Sequence, residues 1–203
     1  MDLSEIFSTV TEQLTQQQVA LNEADDHNHD HGDHMVEIFS LIQNAVSQKT
    51  GLPVVEQLAH ASQVVEKETD SGSAHLYAQG LANAARNFTG TELKPDNLDL
   101  LVKSLLNVKE TPQKKEKPNF LGSLLSGLTG KTKASQNDQT IGLDELLRAG
   151  MTFYQTKQDG GSTTDALMGA LMSSSPLGQT QHRAMSGATV AATIMDFAKS
   201  NKK

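Results

Sequence analysis

The sequence contains no cysteine. That excludes disulfides, thiolate nucleophiles and cysteine-ligated structural zinc. Strand signals are nearly as scarce: there is little strict alternation, few β-branched runs and no Asn-Gly hairpin turn. No apolar run approaches the roughly 18 residues that a membrane span needs. The opening Met1-Asp2-Leu3-Ser4-Glu5 has neither the basic nor the apolar stretch of a secretory signal. Basic charge is outweighed, with a net charge of −7, which argues against a protein that grips a nucleic-acid backbone. The full Gly-x-x-x-x-Gly-Lys-Ser/Thr phosphate loop, the Gly-x-Ser-x-Gly elbow and the His-Glu-x-x-His zinc pattern are missing too. These absences leave a cytoplasmic protein with no transmembrane segment as the expectation. At 203 residues the chain is long enough for one domain with a full core.

What the chain does have is helical spacing. Leu3, Ile6, Phe7, Val10, Leu14 and Leu21 recur at three- and four-residue steps, and Met35, Ile38, Phe39, Ile42, Ala45 and Val46 form a second stripe. Pro53 sits where a first-turn proline is tolerated, ahead of Val54, Val55, Leu58, Ala61, Val64 and Val65. An Ala-rich helix opens near Gly72-Ser73 and runs to about Phe88, and Pro95-Asp-Asn opens another through about Leu106. Regularity returns with Leu143, Leu146, Leu147, Met151 and Tyr154, then after Asp159, and finally over residues 179–199. The fold class predicted is all-α, a single-domain bundle of about eight helices spanning 1–203.

Residues 109–140 break this pattern. They are rich in Lys, Gly, Ser, Asn and Gln, and carry one short apolar segment from Asn119 to Leu128. So long a connection reads as an insertion. It is either a tethered loop whose short helix packs on its own domain, or a basic, apolar element that docks on a partner or an acidic membrane surface.

Between the first two stripes, residues 22–35 pack His27, His29, His31 and His34 together with Asp25, Asp26, Asp30 and Asp33. Crowded carboxylates repel, and a cation would relieve them. Imidazoles suit zinc and other transition metals, whereas carboxylates suit magnesium, calcium or manganese, so the stretch alone does not choose between a metal site and a polar loop. Three later segments place small hydroxyl-bearing residues where helices begin or bend: Gly72-Ser73, Gly160-Gly161-Ser162-Thr163 and Ser186-Gly187-Ala188-Thr189. Helix starts of this kind cap themselves or bind phosphate. Beside an acidic loop they would hold a metal-bridged polyphosphate.

The order of these segments resembles the DhaL-like family, the nucleotide-binding subunit or domain of dihydroxyacetone kinases, also found at the front of bacterial fatty acid kinases. The family's first loop reads approximately D-x-D-H-G-x-N-M. Here it is matched by Asn28-His29-Asp30-His31-Gly32-Asp33-His34-Met35, with Glu23 at an upstream acid position. Ser71-Gly72-Ser73-Ala74-His75-Leu76-Tyr77 is similar to the second signature. Asp159–Leu167 echoes G-D-K-T-M-x-D-A-L without its Lys, and Met185–Thr189 echoes D-P-G-A-T without its Asp. The resemblance covers nearly the whole chain apart from 109–140. It implies a barrel of about eight helices binding ADP or ATP at one rim with magnesium. The acceptor would be held by a separate partner protein. Carried over, the metal ligands would be Glu23, Asn28 and Asp30, with His29, Asp26 or Asp33 as a substitute for the acid that Asn28 replaces. His31, Gly32, Gly72, Ser73, Ser162, Thr163, Gly187 and Thr189 would contact the nucleotide. The rival expectation is a non-catalytic member of the family that binds a metal, such as zinc, or a partner.

Overall fold

The computed structural model describes residues 1–107, 175 and 180–201, which come from the two ends of the chain. Among them the regular elements are all helical: α1 (Leu3–Glu23), α2 (His31–Gln48), α3 (Val54–Glu68), α4 (Gly72–Asn87), a 3-10 turn (Pro95–Asn97), α5 (Leu98–Leu105) and α6 (Gln181–Ser200). The fold class is all-α, as the spacing predicts. The insertion at 109–140, the stripe from Leu143 to Tyr154 and the helix after Asp159 lie outside the described residues. Among the described residues no helix is long and apolar enough to cross a membrane.

The stripes predicted for α1 and α2 become buried faces, and that of α3 does so in part. In α1 the Asp2 side chain accepts from the Ser4 N–H at 2.9 Å, and Leu3, Ile6, Phe7, Val10, Leu14 and Leu21 are buried. In α2 all six predicted apolar residues are buried, but the helix begins four residues before Met35, at His31. The loop is therefore shorter than residues 22–35, and His31 and Gly32 belong to the first helical turn. The helix expected from Pro95 to Leu106 is a 3-10 turn followed by α5.

Short connections make sequence neighbours pack on one another, and α6 closes back on α1 and α5. Ser4 Oγ at the start of α1 lies 2.8 Å from Ser47 Oγ near the end of α2, so the two helices are antiparallel. The core runs from α1 through α2 to α4: the Phe7 and Phe39 rings are 6.3 Å apart, and Tyr77 meets Phe39 edge-on at 5.0 Å. Each such buried large side chain contributes roughly 1.5–3 kcal/mol.

Two glycines set how closely helices approach. A Cβ on Gly80 would stand 2.5 Å from the Leu105 carbonyl oxygen, and one on Gly32 would stand 2.1 Å from the Gln18 carbonyl oxygen. Backbone cannot yield as a flexible side chain does. Gly80→Ala and Gly32→Ala are each expected to lower stability by about 1–3 kcal/mol, read as a lower urea midpoint. An unchanged midpoint would contradict the close packing of α4 on α5 and of α1 on α2.

Candidate functional site

A cavity of about 610 Å³ opens where the α1–α2 loop faces the starts of α4 and α6. Asp25, Asp26, His27, Asn28 and Asp30 line it from the loop, and His31 and His34 from the first turn of α2. Ser71, Gly72 and Ser73 line it from α4, and Thr180, Gln181, His182 and Arg183 from α6.

The loop is held at its base by Asn22. Its Oδ1 accepts from the N–H of Gly32 at 2.6 Å and of Asp33 at 3.3 Å, and its Nδ2 donates to Asp33 Oδ1 at 3.0 Å. The free N–H groups at the start of α2 are thus partly capped from within the protein. The other two helix starts are more open. In α4 the Ser71 side chain takes the Ala74 N–H and the Ser71 carbonyl takes the His75 N–H. This leaves the N–H groups of Gly72 and Ser73 with no partner among the described residues. In α6 the first backbone bond runs from the Ala184 N–H to the Thr180 carbonyl, and the Thr180 side chain makes no cap. Both positive helix ends face the same cavity.

Arg183 adds a full charge there. A Cβ on Gly72 would lie 2.7 Å from its Nη2, so the absent side chain is what lets the guanidinium sit at the start of α4. Its Nε is buried without a hydrogen-bond partner, and Arg183 makes no ion pair among the described residues. A cation at a helix N-terminus opposes the dipole, at a cost of roughly 0.3–1 kcal/mol. A bound anion reverses that sign.

The facing wall is acidic and rich in imidazole. Asp25 is only 3 % exposed. Burial alone would push its pKa up, but the His27 N–H at 3.2 Å and the nearby His182 hold it below the ordinary carboxylate value. Asp30 accepts from Asn28 Nδ2 at 2.9 Å and pairs with His34 Nδ1 at 3.3 Å. His31 is buried beside His182, with ring centroids 4.5 Å apart. Burial, then His182, lower its pKa to about 4. Its Nε2 lies 2.9 Å from Ser186 Oγ, and that hydroxyl donates to the Arg183 carbonyl at 3.1 Å. With the Ser186 proton so used, His31 must be the donor, which fixes it as the neutral Nε2–H tautomer.

Of the residues expected from sequence, Asn28, Asp30, His31, Gly72 and Ser73 meet at this cavity. Glu23 is exposed at the end of α1 and does not line it. His29 adopts a left-handed φ of 56° and turns its Nδ1 to the Asn22 carbonyl at 3.3 Å. Gly32 faces the backbone of α1. Gly187 and Thr189 are interior to α6, because that helix starts at Gln181 rather than at Ser186. Their N–H groups belong to the helix ladder, and the Thr189 hydroxyl bonds Gln17 Oε1 at 2.7 Å. Ser162 and Thr163 lie outside the described residues. Glu23, Asn28 and Asp30 thus form no ready-made cation site, and among the described residues no group of three or more His, Asp or Glu side chains is placed to hold a metal ion.

The sequence shows Asp25 only as one of the loop's clustered aspartates, and no motif assigns a role to His182 or Arg183. The usable signal for Arg183 is a basic residue in the first turn of a helix, where the dipole disfavours it. Comparison with protein-family models, with curated proteins and with solved structures gives no match.

The low pKa of His31 has a defined consequence. Between its unfolded value of 6.5 and about 4, the unfolded chain binds a proton that the folded one refuses. Stability contributed by neutral His31 is therefore present above pH 6.5 and lost as pH falls toward 4. Urea unfolding across that window should show a slope that His31→Gln reduces. An equal slope in both proteins would contradict the buried neutral imidazole.

Proposed function

We propose that this cavity binds the phosphates of ADP or ATP, with magnesium, and serves phosphoryl transfer to a small acceptor held by a separate partner protein. The observation that carries the reading is the meeting of two open helix starts at the guanidinium of Arg183, which has no ion-pair partner among the described residues. Free N–H groups, positive dipole ends and a guanidinium are the donors that phosphate oxygens accept from. The volume of about 610 Å³ suits a nucleotide-sized ligand. The carboxylates opposite would repel bare phosphates. A magnesium ion that arrives with the nucleotide needs only one or two protein carboxylates, the rest of its shell being phosphate and water. That requirement is less demanding than a preassembled metal cluster.

The same wall supports a second reading. His27 and His34 line it beside the carboxylates; they are not placed to hold a metal ion as they stand, so a module that binds zinc there would rearrange on binding, and neither it nor a partner site would need Arg183.

Calorimetric titration of the metal-free protein with ADP, with and without magnesium, and then with zinc alone separates the two. The phosphate reading expects magnesium-dependent ADP binding that Arg183→Ala weakens by roughly 10- to 100-fold, the size of one or two charge-assisted hydrogen bonds. Tight zinc binding with no response to ADP would overturn it in favour of the second.

A further inference from the structure

Three side chains at the mouth of α6 form an arrangement that phosphate binding does not require. Asp25 Oδ1 lies 3.6 Å from His182 Nδ1, and His182 Nε2 lies 3.1 Å from Thr180 Oγ1. The carboxylate side chain is 5 % exposed and that of His182 is 18 % exposed, so a buried acid backs an imidazole that opens on the cavity. We propose that His182 is a general base held by Asp25, and that it deprotonates the hydroxyl of a phosphoryl acceptor, an alcohol or water. The inference rests on the phosphate reading of the same cavity.

The geometry assigns the roles. The Asp25 carboxylate beside Nδ1 favours the tautomer with its proton there, which leaves the Nε2 lone pair to accept from a hydroxyl. Thr180 shows that a hydroxyl fits at Nε2. The 3.6 Å separation is longer than a hydrogen bond, as such pairs commonly are before a ligand draws them together. The other groups facing His182 allow it to take a proton. His31, stacked beside it, has its Nε2 turned to Ser186. Asp25 is the counter-ion for the imidazolium. Arg183, the next residue, remains available to the phosphates.

With water as acceptor, its oxygen forms a bond to the γ-phosphorus and its proton passes to His182 Nε2. The bond from that phosphorus to the bridging oxygen breaks, and its electron pair leaves on ADP. The proton on His182 then returns to solvent. His182 is thus a catalytic residue, and Asp25 is a positioning residue.

The test uses the full chain with ATP and magnesium, following release of inorganic phosphate alongside ADP binding by calorimetry. The expectation is a measurable turnover that His182→Ala lowers by roughly 10²- to 10⁴-fold, with ADP affinity kept and turnover partly restored by free imidazole. Asp25→Asn should lower kcat and leave KM unchanged, whereas a merely structural loss would disturb both. Turnover by His182→Ala equal to that of the unaltered chain, or no turnover by the unaltered chain while it binds ADP, would overturn the inference. Failure to bind ADP at all would instead remove the phosphate reading beneath it.

Discussion

The hydrogen bond between His31 and Ser186 joins residues 155 positions apart in sequence and lies buried between the first turn of α2 and the second turn of α6. It fixes one tautomer of His31, and through the Ser186 hydroxyl it reaches the Arg183 carbonyl. A protonated imidazole here would face His182 and Arg183 with most of its solvent gone, which is why burial drives the His31 pKa down. The same bond holds the start of α6 against the α1–α2 loop. The cavity opens beside that contact, between the loop and the starts of α4 and α6.

Charge explains why the cavity is built at some cost to the fold. An arginine placed against the positive ends of two helices, with a buried Nε that bonds nothing among the described residues, stabilises the protein less than a paired one would. Opposite it stand carboxylates that repel one another. Asp25 is engaged by His27 and His182, and Asp30 by Asn28 and His34, so neither carboxylate pairs with Arg183. On the account proposed here, phosphate completes the first wall and a cation brought by the ligand completes the second.

Helices were the legible part of the sequence because their signal is local. The apolar residues predicted for α1 and α2 are those that the core buries, and Gly72 does open α4. In α3 the apolar periodicity is weaker evidence: Leu58, Ala61 and Val65 are buried, but Val54, Val55 and Val64 are only half-buried. The candidate site was legible in outline, as a loop rich in His and Asp beside a glycine-serine helix start. Its inner contacts were not. Pattern matching favoured Glu23 and His29, which chain direction carries out of the cavity, over Asp25, which the turn after α1 buries. The Gly187 segment looked like a helix start because Ser-Gly-Ala-Thr commonly is one. Here α6 has already begun at Gln181, and Gly187 is buried within it. No local rule pairs Arg183 with Gly72, since that contact exists only once α4 and α6 are both in place.

The most direct test is to follow backbone amide resonances of the full chain while adding ADP with magnesium. The account predicts the largest shifts at Gly72, Ser73, Gln181, His182 and Arg183, whose N–H groups would donate to phosphate. Shifts concentrated instead on the groove between α1 and α6, at residues such as Gln13 and Thr193, or no shifts at all, would contradict it.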